Sequence, residues 1–162
     1  MRLFIAIELD DRVKNAISST AGSLAFFGEG SFCPKDSYHI TLAFLGETEN
    51  IDNIKKAMNL IEALPFYLST KELENFGNTY FVSVSDNKAL NDMQTQLTKV
   101  LKENNVWFDE KPFKPHITIV RRFKKQDEPF VFVPQATFEV KEISLMATVG
   151  AGVYKSLYKK AL

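Results

Sequence analysis

The chain has 162 residues, and its apolar share of 45% and charged share of 25% are typical of a globular protein and argue against a disordered one. Cys33 is the single cysteine, so a disulfide framework is excluded. The formal net charge is zero, which disfavours a protein that coats long duplex nucleic acid. The first apolar run meets Glu8 too early for a signal peptide, and no run is long enough for a membrane helix. We therefore expect a cytoplasmic protein with no membrane partner.

The first half of the chain predicts strands alternating with helices. Residues 3–7 form a short apolar run that predicts a buried strand. Asp10 is suited to cap a first helix, and residues 28–31 break it with two glycines. A strand is predicted over residues 38–45, ended by Gly46, and a second helix from about Ile51. The apolar stripes of the two helices are Val13, Ile17, Ala21 and Leu24, and Ile54, Met58 and Ile61.

The second half predicts one further helix and then strands only. Residues 66–73 and 80–84 favour strands, and Asp86 or Asn87 is placed to cap a helix that ends at Asn104 and Asn105. Leu90, Met93, Leu97 and Val100 or Leu101 form its apolar stripe. The remaining predicted strands cover residues 116–120, 130–133, 137–140, 143–146 and 153–158. Many strands with few helices predict an α+β fold with a mostly antiparallel sheet.

Both histidines of the chain lie in the same tripeptide, His-Ile-Thr. His39 is followed by Thr41, and His116 is followed by Thr118. The two copies lie about half a chain length apart, which favours two related lobes, since two copies are too few for a solenoid. Residues i and i+2 of a strand share a face, so each histidine projects beside its threonine.

Two such strands facing one pocket would supply an acid and a base. Imidazoles titrate near neutral pH, and threonine hydroxyls can donate to phosphate oxygens. From Lys111 to Lys125 the charged side chains are all cationic, which suits a phosphate ligand or a nucleic-acid end, although a solvated basic face is the alternative. The alternative for each histidine is a strand residue whose ring merely bonds a backbone carbonyl. Metal binding by the two histidines, Cys33 and carboxylates is less favoured, because no metal-ligand spacing is present.

The paired motifs and their surroundings resemble the 2H phosphoesterase superfamily, and within it the bacterial RNA 2′,3′-cyclic phosphodiesterases once called 2′-5′ RNA ligases. The likeness covers residues 1–9, 34–47, 111–121 and 140–145 and the tail around Tyr154. It implies two pseudo-symmetric lobes, each an antiparallel sheet with flanking helices, around a central cleft. We expect these lobes to form one domain over residues 1–162.

The resemblance also implies a reaction, the metal-independent opening of a 2′,3′-cyclic phosphate to a 2′-phosphomonoester. Carried over, His39 would protonate the departing 3′ oxygen and His116 would activate the attacking water. Thr41, Thr118 and Arg121 would bind the phosphate. No cofactor and no metal are expected, and the partners would be RNA ends or nucleotides with a 2′,3′-cyclic phosphate, bound by a monomer.

Three further residues complete the expected substrate site. Phe4 would line the cleft against a base, and Tyr154 would contact substrate from the C-terminal tail. Strict alternation places Arg121 on the strand face opposite His116, so a bulge must intervene if Arg121 is to reach the phosphate. Arg122 shares the face of His116 and is the substitute.

Two other functions stay open at this point. A non-catalytic module that binds RNA ends or cyclic phosphates would keep the fold, but would not need both histidines and both threonines. A ribonuclease could use paired histidines for transphosphorylation, although the neutral charge and the lack of disulfides disfavour it. Reverse 2′-5′ ligation is a possible second activity of the phosphodiesterase.

Overall fold

Three helices of the computed structural model, which describes residues 1–162, begin and end close to the predicted positions. They are α1 (Asp11–Leu24), α2 (Ile51–Asn59) and α3 (Lys88–Glu103). Asp10 caps α1 by accepting a hydrogen bond from the Val13 N–H at 2.9 Å. Asn87, rather than Asp86, caps α3 in the same way through the Leu90 N–H. α1 and α3 bury their predicted apolar stripes, because those positions share one face. α2 buries Ile54 and Met58, and Ile61, also buried, lies just beyond its end.

Nine strands form two antiparallel sheets. The strands are β1 (Arg2–Glu8), β2 (Gly28–Phe32), β3 (His39–Glu47), β4 (Phe66–Phe76), β5 (Thr79–Val84), β6 (His116–Lys125), β7 (Thr137–Val140), β8 (Glu142–Gly150) and β9 (Val153–Ala161). One sheet has the order β3-β1-β8-β9 and the other the order β2-β6-β5-β4-β7. Every pairing is antiparallel, as expected for an α+β chain.

The two sheets divide the His-Ile-Thr motifs between them. Strand β3 carries the first motif in the four-stranded sheet, and β6 carries the second in the five-stranded sheet. The two sheets meet where β3 and β6 approach each other. Helix α1 packs against β6, whereas α2 lies beside α3 and contacts β9. The predicted arrangement of two lobes around a cleft is confirmed.

A single hydrophobic cluster of 39 buried residues runs through both lobes. Ile5 and Ile40 contribute from the four-stranded sheet, and Val82 and Ile117 from the five-stranded sheet. Because the apolar faces are continuous, the lobes hold each other in place, and this fixes the width of the cleft between them. No helix is both long and apolar enough to cross a membrane.

The structure corrects three of the predicted elements. Residues 28–31, predicted as a break only, begin the short strand β2, which pairs with β6. Residues 130–133 were predicted as a strand, but they pair with no strand, and Phe130 and Phe132 are exposed. Gly46 does not end β3; it lies inside the strand with a positive φ of 69°.

Candidate active site

Both motif histidines are fixed by the same backbone contact. The Nδ1 atom of His39 lies 2.7 Å from the Ser37 carbonyl oxygen, and that of His116 lies 2.6 Å from the Lys114 carbonyl oxygen. A carbonyl oxygen can only accept, so Nδ1 must carry the proton in each ring. In the neutral rings Nε2 is therefore the basic atom, and both rings line one cleft of about 550 Å³.

Aromatic rings pack against each imidazole. Phe4 and Tyr154 lie with their centroids 5.0 and 5.1 Å from that of His39. Phe76 and Phe81 lie 5.5 and 5.2 Å from that of His116. These contacts restrict rotation of the rings, so that Nε2 is positioned before a substrate arrives.

The two threonines also line the cleft, as predicted. The Thr41 hydroxyl lies 3.0 Å from His39 Nε2 and donates to it when the ring is neutral. When the ring is protonated, Nε2 becomes the donor and the hydroxyl hydrogen is free to turn toward a ligand. Thr118 holds the matching position on β6, two residues after His116.

Arg121 reaches the cleft because β6 bulges after its motif. Tyr80 pairs with Val120 and Phe81 pairs with Thr118, which leaves Ile119 as an extra residue in the strand. The bulge shifts the alternation, so Arg121 lies on the cleft side with Thr118. Its Nη1 donates to Cys33 Sγ at 3.4 Å.

Arg122, the alternative to Arg121 as the residue that contacts the phosphate, does not line the cleft. Its φ is 55°, a left-handed conformation that L-residues seldom adopt, and its Nη2 donates to Ser31 Oγ at 2.9 Å. Other cations of the basic segment form salt bridges with acidic side chains. Lys114 Nζ lies 3.4 Å from Glu74 Oε1, and Lys125 pairs with Glu128. Arg121 therefore brings the guanidinium charge of this segment to the two histidines.

The electrostatic surroundings favour the neutral form of His39. Burial lowers its pKa below the ordinary value of 6.5, although the Ser37 carbonyl opposes this shift. The positive charges of Arg121 and His116 lower the pKa further, and the Glu8 carboxylate raises it. An anion bound between these cations would offset their repulsion and raise the pKa of His39 again.

The structure modifies the roles expected of the aromatic residues. Phe4 borders the cleft but is only 3% exposed, so its ring supports His39 and cannot stack on a base. Tyr154 is half-buried and lies edge-on to both His39 and Phe4. An open aromatic surface is supplied instead by Phe44, which is 50% exposed.

Sequence reasoning missed the far end of this cleft. Phe44, Trp107 and Arg2 line it beside Lys111, which the sequence had singled out only as the first cation of the basic segment. Strict alternation from His39 would place Phe44 on the core face of its strand, and Trp107 follows a helix end with no periodic pattern. The single tryptophan of the chain, just after the helix end at Asn104 and Asn105, was the signal available for this part of the site. No group of three or more His, Cys, Asp or Glu side chains is placed to hold a metal ion.

The chain is similar to several known proteins. An RNA 2′,3′-cyclic phosphodiesterase of Geobacillus stearothermophilus is 32% identical and matches 90% of this chain, which spans about half (51%) of that relative's length. A protein of the same name from Methanocaldococcus jannaschii is 29% identical, with 90% of both chains covered.

Solved structures share the fold. The crystal structure of E. coli LigT complexed with 3′-AMP superposes with a TM-score of 0.85 over 99% of this chain and 97% of that one, at 22% identity. The crystal structure of a Thermus thermophilus protein gives a TM-score of 0.85 at 23% identity, with 100% and 98% of the two chains covered. The 2′-5′ RNA ligase superfamily matches residues 9–152, and the chain belongs to that superfamily.

Proposed function

We propose that the protein hydrolyses RNA or nucleoside 2′,3′-cyclic phosphates to 2′-phosphomonoesters, with residues 1–162 working as one bilobal domain. The observation that carries this proposal is the convergence of two His-Ile-Thr motifs from different lobes on one cleft. A binding site needs no such pairing of two titratable rings, whereas acid–base catalysis does. The relatives named RNA 2′,3′-cyclic phosphodiesterase support the same enzyme class.

In the proposed reaction, His116 is the base and His39 the acid. Neutral Nε2 of His116 takes a proton from water, whose oxygen forms the new bond to phosphorus. The bond from phosphorus to the 3′ oxygen breaks, and protonated Nε2 of His39 supplies the proton to that oxygen. The product keeps the phosphate on the 2′ oxygen, and a second proton exchange with solvent restores both rings.

The phosphate charge is stabilised by side chains in this proposal. Thr41 and Thr118 donate hydrogen bonds to the non-bridging oxygens, and Arg121 adds a positive charge beside them. The lowered pKa of His39 in the free protein is compatible with an acid role, because the bound phosphate favours the protonated ring. These groups let the reaction proceed without a metal.

The same site can also use an RNA hydroxyl in place of water. If the 5′ hydroxyl of a second RNA replaces water, attack on the cyclic phosphate forms a 2′-5′ linkage through the same two histidines. The hydroxyl then gives its proton to His116, and the 3′ oxygen again leaves with the proton from His39. Ligation requires both RNA ends at once, so we propose hydrolysis as the main reaction.

The deciding experiment incubates the protein with each nucleoside 2′,3′-cyclic phosphate and identifies the product isomer. A 2′-phosphate is the expected product. A 3′-phosphate would reverse the assignment of the leaving oxygen. Binding of cyclic phosphates without turnover would favour the non-catalytic module, and cleavage of linear RNA to cyclic ends would favour a ribonuclease.

A further inference from the structure

The cleft extends beyond the histidines along strand β3. His39 begins this strand and Gly46 lies near its end, and both line the cleft. Their separation of seven residues corresponds to roughly 20 Å of strand. A single nucleotide with its phosphate between the two histidines does not span that length. The far end of the cleft is therefore free to hold another part of the substrate.

Trp107 lies at this far end, and its ring is exposed to solvent but held in position by the backbone. The side chain is 67% exposed. A methyl group on Gly46 would lie 3.2 Å from Cζ3 of the indole, so the ring packs directly over the glycine backbone. The Asp109 N–H donates to the Phe44 carbonyl oxygen at 2.9 Å, which ties this segment to the edge of β3. An exposed, immobilised indole that lines a cleft is typical of a stacking platform for nucleobases.

Aromatic rings connect this platform to the reaction centre. Phe4 packs 5.0 Å from His39 on one side and 6.3 Å from Phe44 on the other. Phe44 is half exposed and lies between the histidines and Trp107 along the strand. The cleft thus offers two successive exposed rings at increasing distance from the reaction centre, and successive bases of a single strand stack on such rings.

Cations accompany the rings at the same end. Arg2 of β1 pairs with Glu47 of β3 beside Gly46, and the Lys111 N–H donates to the Asp109 carboxylate at 3.2 Å; both side chains line the cleft and are exposed. Arg2 makes no salt bridge, while Lys111 lies 3.5 Å from Asp109. A phosphodiester linking two stacked nucleotides would pass between these charges, and cationic side chains along an aromatic cleft are the usual means of holding a single strand.

We propose that Trp107 stacks the base of the nucleotide that precedes the cyclic-phosphate end, so that an RNA end is a better substrate than a free cyclic mononucleotide. In this arrangement Phe44 faces the terminal base, Trp107 faces the preceding one, and Arg2 and Lys111 hold the phosphodiester between them. The inference rests on the proposed function, because it takes the histidine end as the position of the cyclic phosphate.

The test compares two substrates that share one terminal nucleoside 2′,3′-cyclic phosphate: the mononucleotide and a trinucleotide. We expect kcat/KM to be higher for the trinucleotide by about 5- to 100-fold, the range that stacking of one base provides. Trp107→Ala should lower the ratio of the two values by most of that factor, leaving what Arg2 and Lys111 contribute through the phosphodiester, and Trp107→Phe should lower it less. Phe130→Ala removes an exposed aromatic ring that does not line the cleft and should keep the full ratio.

The fluorescence of Trp107 gives a second measurement that needs no turnover, because it is the single tryptophan of the chain. A dinucleotide ending in a 2′-phosphate should quench it at lower concentration than the 2′-mononucleotide does. The inference is overturned if the wild-type ratio is already one or if Trp107→Ala keeps it. Equal quenching by both nucleotides would also overturn it. Turnover of the mononucleotide tests the proposed function by itself. A ratio of one together with good mononucleotide activity would therefore contradict this inference and leave the proposed function standing.

Discussion

Phe44 and Arg121 occupy equivalent positions in the two lobes. Each follows its motif histidine by five positions, and each comes after a bulge, at Leu42 in β3 and at Ile119 in β6. The bulges turn both side chains into the cleft. At this position the internal symmetry is broken, because one lobe presents a ring and the other a guanidinium. The asymmetry suits a nucleotide, which has a base at one end and a phosphate at the other.

Replacing Arg121 should weaken catalysis far more than replacing its neighbour. Arg121→Ala removes a cation from the cleft and should cost about 2–3 kcal/mol in kcat/KM, as for other charge-stabilising donors. Arg122→Ala loses a bond to Ser31 outside the cleft and should change kcat/KM little. Steady-state kinetics on one cyclic nucleotide decides between them. Equal small losses in both variants would mean that neither arginine contacts the phosphate.

The sequence predicted the two motif strands and three helices because local signals specify them. Asp10 and Asn87 cap helices, and each histidine alternates with core residues. The face of Arg121 was not predictable from alternation alone. It depends on which residue of β6 is left unpaired by β5, and that is a property of two strands together.

Other differences have the same kind of cause. Residues 130–133 are a continuous apolar run of the kind that predicts a strand, but they join neither sheet. Val131 and Val133 pack against the core from an irregular segment, and Phe132 points to solvent. Strand β2 contains Gly28 and Gly30, which favour turns in isolation. A Cβ on either glycine would lie 2.8 Å or less from an atom of β6, so close pairing with β6 requires glycine there. Trp107 lies in the site because the loop after α3 runs back along the edge of β3.

Gly46→Ala should destabilise the fold more than Gly77→Ala does. Both glycines have a positive φ, and an L-residue in that region costs about 1–2 kcal/mol. The Cβ of the Gly46 variant would also meet the Trp107 indole at 3.2 Å, whereas nothing lies within 4 Å at Gly77. Urea unfolding gives the two free energies, and tryptophan emission reports the indole. Equal losses with unchanged emission would contradict the contact between Trp107 and Gly46.

His39 should titrate below pH 6.5 in the free protein, because burial opposes its charge. The chain has two histidines, so the ring protons give two NMR signals, and His116→Asn assigns the remaining one to His39. Glu8→Gln should lower the pKa of His39 further, since it removes a carboxylate that raises it. Glu142→Gln is the control, because Glu142 shares Lys159 with Glu8 but does not act on His39. An unshifted signal in Glu8→Gln would contradict this coupling.

The same shift gives the stability a defined pH dependence. The unfolded chain takes up a proton at His39 near pH 6.5, while the native protein does so only at lower pH. The native state therefore binds fewer protons in that interval, and the free energy of unfolding should fall as the pH falls through it. Denaturant midpoints between pH 7 and pH 5 measure the fall, and His39→Gln should show a shallower one. A steeper fall in the variant would mean that the pKa of His39 is raised.

Hydrolysis should continue after treatment with EDTA. The proposed reaction stabilises the phosphate charge with Thr41, Thr118 and Arg121 and moves protons with imidazoles, so no step calls for a Lewis acid. Rates are measured on the chelated protein, then with Mg²⁺ or Zn²⁺ added back. Activity lost on chelation and restored by one of the ions would refute the metal-independent mechanism.

The two histidines should act on one transition state, and a double-mutant cycle tests this directly. His39→Ala and His116→Ala should each lower kcat by about 10²–10⁴-fold, the usual worth of a general acid or base. The double variant should lose less than the product of the two single losses, because removing either group already disables the shared step. The profile of kcat/KM against pH should be bell-shaped in the wild type, since one ring must be protonated while the other is neutral. Each single variant should lose one limb of the bell, with circular dichroism confirming the fold. Near-normal activity in either folded variant would exclude the two-histidine mechanism.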